Sequence, residues 1–168
     1  GGLGGTMLTN YKANDPWDQL NACRIADAIA TGDFSTLENL AQETDDFGFI
    51  TYPTTYVQQI QNIKNAVADG IYIRVAMYGT NDVSRLNLEL DEDENSLDQS
   101  KWNGAINYFV KTIQESHPHI KIYLVSPIYR ATMKDSEQVT GSPKDSDEWA
   151  YSLMLPDMVG TLRERAKR

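Results

Sequence analysis

The residues most able to do chemistry in this chain are Gly79-Thr80-Asn81-Asp82, which follow the run Ile71-Tyr72-Ile73-Arg74-Val75-Ala76-Met77-Tyr78. That run is apolar and β-branched and opens after Asp69-Gly70, so it reads as a buried strand, with Gly-Thr-Asn-Asp as the turn at its end. In an open parallel sheet, ligands sit outside the carboxyl ends of the strands. Asn81 is therefore a polar amide held over a sheet at the place where reactions are usually carried out. Pro127-Ile128-Tyr129-Arg130 leaves a second strand, Lys121–Ser126, on the same edge. Thr80, Asp82, Tyr129 and Arg130 are the candidate substrate contacts there, although a surface ion pair explains Arg130 about as well.

Other reactive groups are assigned elsewhere. His117 and His119, the only histidines, precede the second strand and so belong to the edge opposite Asn81; they are expected to be neither metal ligands nor catalytic. Asp91-x-Asp93-x-Asn95 opens like a calcium loop, but Ser96 and Trp102 stand where such a loop needs Gly and Glu, so a solvated loop is expected. Cys23 lies among Ala22, Ile25, Ala26 and Ile29 at helical spacing and reads as a buried thiol, and a lone cysteine excludes an internal disulfide and a four-cysteine metal site. Gly1-Gly2-Leu3-Gly4-Gly5-Thr6-Met7-Leu8-Thr9 lacks the Lys-Ser/Thr of a phosphate cradle and, taken alone, fits a flexible linker.

A chain of 168 residues that is 40% hydrophobic has the material for one core and one domain. Its net charge of −9 argues against nucleic-acid backbones and anionic membrane surfaces as partners. No apolar run approaches the roughly 18 residues that a membrane span needs, and no signal peptide is visible. The chain opens at Gly1 without an initiator methionine, which points to a start inside a longer polypeptide.

The elements that must position the candidate residues follow from periodicity. An amphipathic helix is expected from Asp18 to about Ala30, stopping at Thr31-Gly32. Ser35, with Glu38 three residues on, has the pattern of a capping box for a second helix. Residues 43–53 read as a polar-aromatic loop. A helix over 53–68 turns Tyr56, Ile60, Ile63 and Val67 toward the sheet and feeds the first strand. The helix from about Asp98 to Ser116 buries Trp102, Ile106, Phe109, Val110 and Ile113 and feeds the second. Residues 134–147 read as a loop, and a last helix carries Tyr151, Met154, Leu155, Met158, Val159 and Leu162, interrupted at Pro156. This strand–helix–strand order predicts that Ile71–Met77 and Lys121–Ser126 are adjacent and parallel in an α/β fold.

Gly79-Thr80-Asn81-Asp82 resembles the Gly-x-Asn-Asp block of the SGNH (GDSL-type) ester hydrolases, and Gly4-Gly5-Thr6 resembles their glycine block. Ala76–Asp82 and Ser126-Pro127-Ile128-Tyr129-Arg130 look like the branch found in bacteriophage tail and baseplate proteins. The resemblance implies a three-layer α/β/α sandwich around a parallel sheet, flavodoxin-like and incomplete in this chain. It also implies an oxyanion hole made by the Asn81 side chain and a glycine N–H, for which Gly4 aligns best and Gly5 next. Gly32-Asp33-Phe34-Ser35 imitates the family's Gly-Asp-Ser nucleophile block, but it has an extra residue, follows the glycine block instead of preceding it, and has no strand leading into it. No Asp or Glu here has a His three residues downstream, so the Asp-x-x-His base block is absent too. Residues 1–168 are thus expected to form a single partial SGNH-like domain, with the missing strands supplied by the rest of the polypeptide or by a partner chain.

The function so implied is an ester hydrolase or carbohydrate deacetylase domain that needs no cofactor and acts on an ester-bearing small molecule or cell-surface glycan. The alternative is a non-catalytic tail module that binds such a glycan. A virion or extracellular location and assembly as a homo-oligomer accompany both readings.

Overall fold

Asn21 decides where the first long helix begins. Its side chain accepts from the Arg24 N–H at 3.1 Å, the signature of an N-cap, and it divides the expected helix in two. A single turn, α1 (Pro16–Gln19), precedes the break, and α2 (Ala22–Thr31) follows it. At the far end Gly32 takes the left-handed conformation, φ 74°, and returns its N–H to the Ala28 carbonyl, closing the helix where expected. The computed structural model describes residues 6–10, 16–48, 54–70, 73–77, 82, 91, 93–125, 133–134 and 137–138.

The next helix, α3 (Ser35–Asp46), starts differently from the capping-box expectation. Ser35 is its first residue, and Asp33 accepts the Ser35 N–H at 2.9 Å in a short side-chain turn. Glu38 does not reach back; its carboxylate meets Lys64 at 2.6 Å. The helix also runs through Glu43–Asp46, which had been expected in a loop, because Asp45 has distant partners in α4 (Tyr56–Ala68). Its two oxygens accept the Tyr56 and Val57 N–H groups, each at 2.9 Å. Thr55 takes the next amide, that of Gln58, at 3.2 Å. The first three amides of α4 thus have acceptors that the helix itself does not supply.

Strand β1 (Ile73–Met77) pairs in parallel with β2 (Lys121–Val125), Ile73 opposite Lys121 and Met77 opposite Val125. Between them lies α5 (Trp102–Ser116), which packs on α2, while α4 packs on α3. Of the α4 stripe expected to face the sheet, Tyr56 and Ile60 are fully buried in a core shared with Leu37 and Ala41 of α3, and Ile63 and Val67 pack partly buried against it. That core continues through Ile25 and Ile29 to Trp102, Ile106 and Ile113, and Ile122 and Leu124 close its edge from β2. Tyr123 and Val125 point the other way and are 53% and 38% exposed, so that face of the strand is open. Gly104 lies where the backbone of Asp98 crosses α5; a Cβ there would collide with the Asp98 carbonyl. A short antiparallel pair, β3 (Met133–Lys134) with β4 (Glu137–Gln138), stands where only loop was expected. The expected final helix with Pro156, residues 71–72 and Ser126 lie outside the described residues.

Candidate functional site

The described part of the candidate site joins two distant pieces of chain. Asp82 follows the carboxyl end of β1, and residues 6–10 follow the glycine block. The Asp82 carboxylate accepts the Leu8 N–H through both oxygens, at 3.1 and 3.0 Å. Its Oδ1 also accepts the Thr9 N–H at 2.9 Å and the Thr9 hydroxyl at 2.8 Å. Two successive backbone amides converging on one anion make a concave donor site. Asp82 has no exposed surface. Of the candidate substrate contacts it is the one described, and its carboxylate is taken up by Leu8 and Thr9; a ligand reaching it would have to displace those bonds.

The receiving segment is fixed on its other sides as well. The Ala22 N–H donates to the Met7 carbonyl at 3.0 Å, and the Cys23 thiol donates to the Leu8 carbonyl at 3.3 Å. Asn10 bonds Gln99 twice, backbone to backbone at 2.8 Å and side chain to side chain at 3.0 Å. Thr6, Met7, Leu8 and Thr9 are all buried. Residues 6–10 are therefore not the flexible linker that a glycine-rich stretch permits; a buried, hydrogen-bonded loop is a positioned one.

The electrostatics of the junction are those of a buried anion without a cation among the described residues. Burial pushes the Asp82 carboxyl above its ordinary value, and the donors of Leu8 and Thr9 oppose that shift. The nearby Cys23 thiol is pushed up too, first by burial and then by the carboxylates of Asp27 and Asp82, so it is an inert packing group and not a nucleophile. Because the Leu8 and Thr9 amides are consumed by Asp82, neither is free to stabilise a reacting oxyanion. Gly4, Thr80, Asn81, Tyr129 and Arg130 lie outside the described residues.

His117 and His119 stand before β2, with ring centroids 5.8 Å apart. Since β1 and β2 are parallel, the histidines belong to the amino edge and Asp82 to the carboxyl edge. The acidic loop is held by α5: Asn103 donates to the Asp91 carbonyl at 2.6 Å, and Asn107 to the carbonyls of Glu94 and Ser96. Among the described residues no cluster of three or more His, Cys, Asp or Glu side chains is arranged to hold a metal. A cavity of about 840 Å³ opens between that loop, α5 and β2, lined by Leu97, Ile106, Val110, Lys111, Ile122 and Leu124; it has no wall in common with the Asp82 junction.

What sequence reasoning missed is the pairing of Thr9 with Asp82, 73 residues apart. No local pattern announces such a bond; the one available signal was that an acid directly follows Asn81. Comparison of the chain with protein-family models, with curated proteins and with solved structures returned no match.

Proposed function

We propose that this chain carries the oxyanion-hole half of an SGNH-type ester hydrolase domain, within a three-layer α/β/α sandwich. The observation that carries the reading is the bond between Asp82 and Leu8–Thr9. Leu8 stands four residues after Gly4, and Asp82 one after Asn81. The described bond therefore joins the two segments of chain that carry the candidate donor blocks. Two blocks that the family resemblance pairs functionally are tethered across 74 residues of sequence. In the proposed mechanism a serine outside the described site attacks the ester carbonyl, a histidine takes its proton, and the Gly4 N–H and Asn81 amide stabilise the oxyanion. The substrate class is an acetyl or related ester, free or on a cell-surface glycan, met outside the host cell by a phage tail.

A second reading is favoured by one observation: His117 and His119 lie at the end of the strands opposite Asp82, so neither stands beside the candidate site. On that reading the domain is a tail module that holds the glycan without turnover. Turnover of a simple acetyl ester by the full-length protein separates the two. Asn81→Ala is expected to lower kcat by about 10²–10³-fold with little change in KM, because the interaction strengthens mainly in the transition state. A destabilised variant with full turnover would reject the oxyanion role, and an inactive wild type that still binds acetylated glycan would establish the binding module.

A further inference from the structure

We propose that the groove beside β2 is a docking site for an extended segment of another polypeptide. The segment adds as a strand to the free edge of β2. It presents a Lys or Arg, an apolar residue and a second Lys or Arg at alternate positions. The groove shares no wall with the Asp82 junction, so what docks there is independent of ester hydrolysis.

The edge and the groove fit an extended chain. Among the described residues β2 pairs with β1 alone, and Lys121–Val125 make no backbone hydrogen bond outside that pairing. A strand edge of this kind is a template for one more strand. Its outer N–H and C=O groups supply the main-chain bonds that hold an added peptide. The groove alongside has a volume of about 840 Å³ and an apolar floor. Val110 of α5 and Ile122 and Leu124 of β2 line it, all partly buried, and Leu97 closes the loop side at 42% exposure. Lining residues recur once per turn of α5, at Ile106, Val110 and Gln114, so the groove runs along the helix for roughly 12 Å. Four residues of extended chain cover about the same distance.

Charge at the two ends selects the occupant. Glu94 lies at the loop end, where Asn107 donates to its carbonyl at 2.9 Å. Glu115 lies at the other end, about two turns farther along α5. Positions i, i+2 and i+4 of a strand share one face. Cations at i and i+4 therefore meet both carboxylates while the residue between them reaches the apolar floor. Lys111 already meets Glu115, but at 3.9 Å and with the side chains 53% and 68% exposed, a contact too weak to withhold that carboxylate. A second copy of this chain is a poor occupant: its net charge of −9 repels the acidic wall, and its β2 offers the single cation Lys121 beside Tyr123 and Val125. Within the chain, basic residues four apart are Arg130 with Lys134 and Arg163 with Lys167, and they enclose Thr132 and Arg165. Neither pair encloses an apolar residue, which points to a separate polypeptide.

The test is fluorescence anisotropy with the full-length protein and a labelled peptide, Thr-Lys-Thr-Val-Thr-Lys-Thr, at low salt. Saturable binding is expected, weakening as added salt screens the two ion pairs. N-methyl groups on one alternate set of peptide amides should abolish binding, and on the other set should leave it within about twofold, because an added strand bonds through one edge. Glu94→Lys/Glu115→Lys is expected to weaken binding by at least about tenfold, since two attractions become repulsions. The same variant should gain binding of the peptide with Glu in place of both Lys. Both carboxylates are exposed, so its melting curve should match the wild type. Equal binding of the two methylated peptides, or a folded variant that treats both peptides as the wild type does, would overturn the docking site. A monomeric wild type that binds no peptide also overturns it and leaves the groove to a segment of the chain itself. A wild-type dimer in sedimentation velocity that excess peptide leaves intact overturns it in favour of a second copy.

Discussion

Two carboxylates in this molecule do the same local job in opposite surroundings. Asp45 and Asp82 each accept two consecutive backbone N–H groups from a separate segment. Asp45 is half-buried and receives them from the start of α4, eleven and twelve residues away. Asp82 is fully buried and receives them from an irregular segment 73 and 74 residues away. In the first case one of the two amides, that of Val57, is open to water, and the positive end of the helix helps to hold the acid. In the second the acid is fully buried and its donors lie in no helix, so it joins Ala22, Cys23 and Gln99 in holding that backbone. Equivalent hydrogen bonds thus amount to a helix cap in one place and a structural joint in the other.

The comparison breaks most readily at Asp82. Asp82→Ala leaves two buried amides and a hydroxyl without their acceptor, at about 1–3 kcal/mol for each unsatisfied group. A loss of at least about 3 kcal/mol in unfolding free energy is expected, measured by denaturant titration with m unchanged. A loss near 1 kcal/mol would make Asp82 no more than a second Asp45. Titration sharpens the contrast, because burial raises the Asp82 pKa in the folded state above the ordinary 3.8. The folded protein then holds that proton more tightly than the unfolded chain does. The resulting stabilisation is present in full below 3.8 and is lost as the pH rises through the raised folded value. Wild-type stability should fall across that window by at most about 1.4 kcal/mol per pH unit, and Asp82→Asn should remove that component. A wild-type curve that rises with pH there would mean that the donors of Leu8 and Thr9 outweigh burial.

How far the sequence could be read divides along the same line. Ala22, Ile25, Ala26 and Ile29 announce a buried helical face, and Gly32 announces its end, because both signals lie within a few turns of chain. The burial of Trp102, Ile106, Phe109 and Ile113 is legible for the same reason. Asn21 as a cap was missed although its signal is local, since the apolar period continues across it through Leu20. The continuation of α3 through Asp45 was misread from the polar-aromatic composition of 43–53, because the partners of Asp45 lie in the next helix. The Asp82–Thr9 bond was beyond local reading altogether: neither residue type nor spacing encodes a partner 73 residues away. Elements were legible where their causes are short-range, and the joint that organises the candidate site is not.

Asp45→Ala tests the other half of the comparison. Thr55 still caps the Gln58 amide, and water can reach the freed Val57 N–H, so a loss of about 1 kcal/mol is expected. A loss as large as that of Asp82→Ala would remove the distinction between cap and joint.

The smallest effect is expected where a carboxylate has a cation for a partner. Glu38 meets Lys64 at 2.6 Å, with the two side chains 38% and 42% exposed, and the contact joins α3 to α4 much as Asp45 does. The geometry is short, but solvent reaches both groups. Coulomb attraction there is screened, and ordering two long side chains costs entropy. Glu38→Gln should therefore cost about 0.5 kcal/mol, less than Asp45→Ala and far less than Asp82→Ala. Part of even that loss belongs to the first turn of α3, where a negative charge meets the positive end of the helix. Lys64→Met separates the two contributions, since it removes the pair and leaves Glu38 on the helix start. Unfolding measured at low and at 1 M salt should show the Glu38→Gln deficit shrinking as the ions screen it, while the Asp82→Ala deficit, inside the protein, stays nearly constant. A Glu38 effect as large as that of Asp82, or one indifferent to salt, would show that exposure does not rank these carboxylates, and the contrast between the joint and the surface pair would fail.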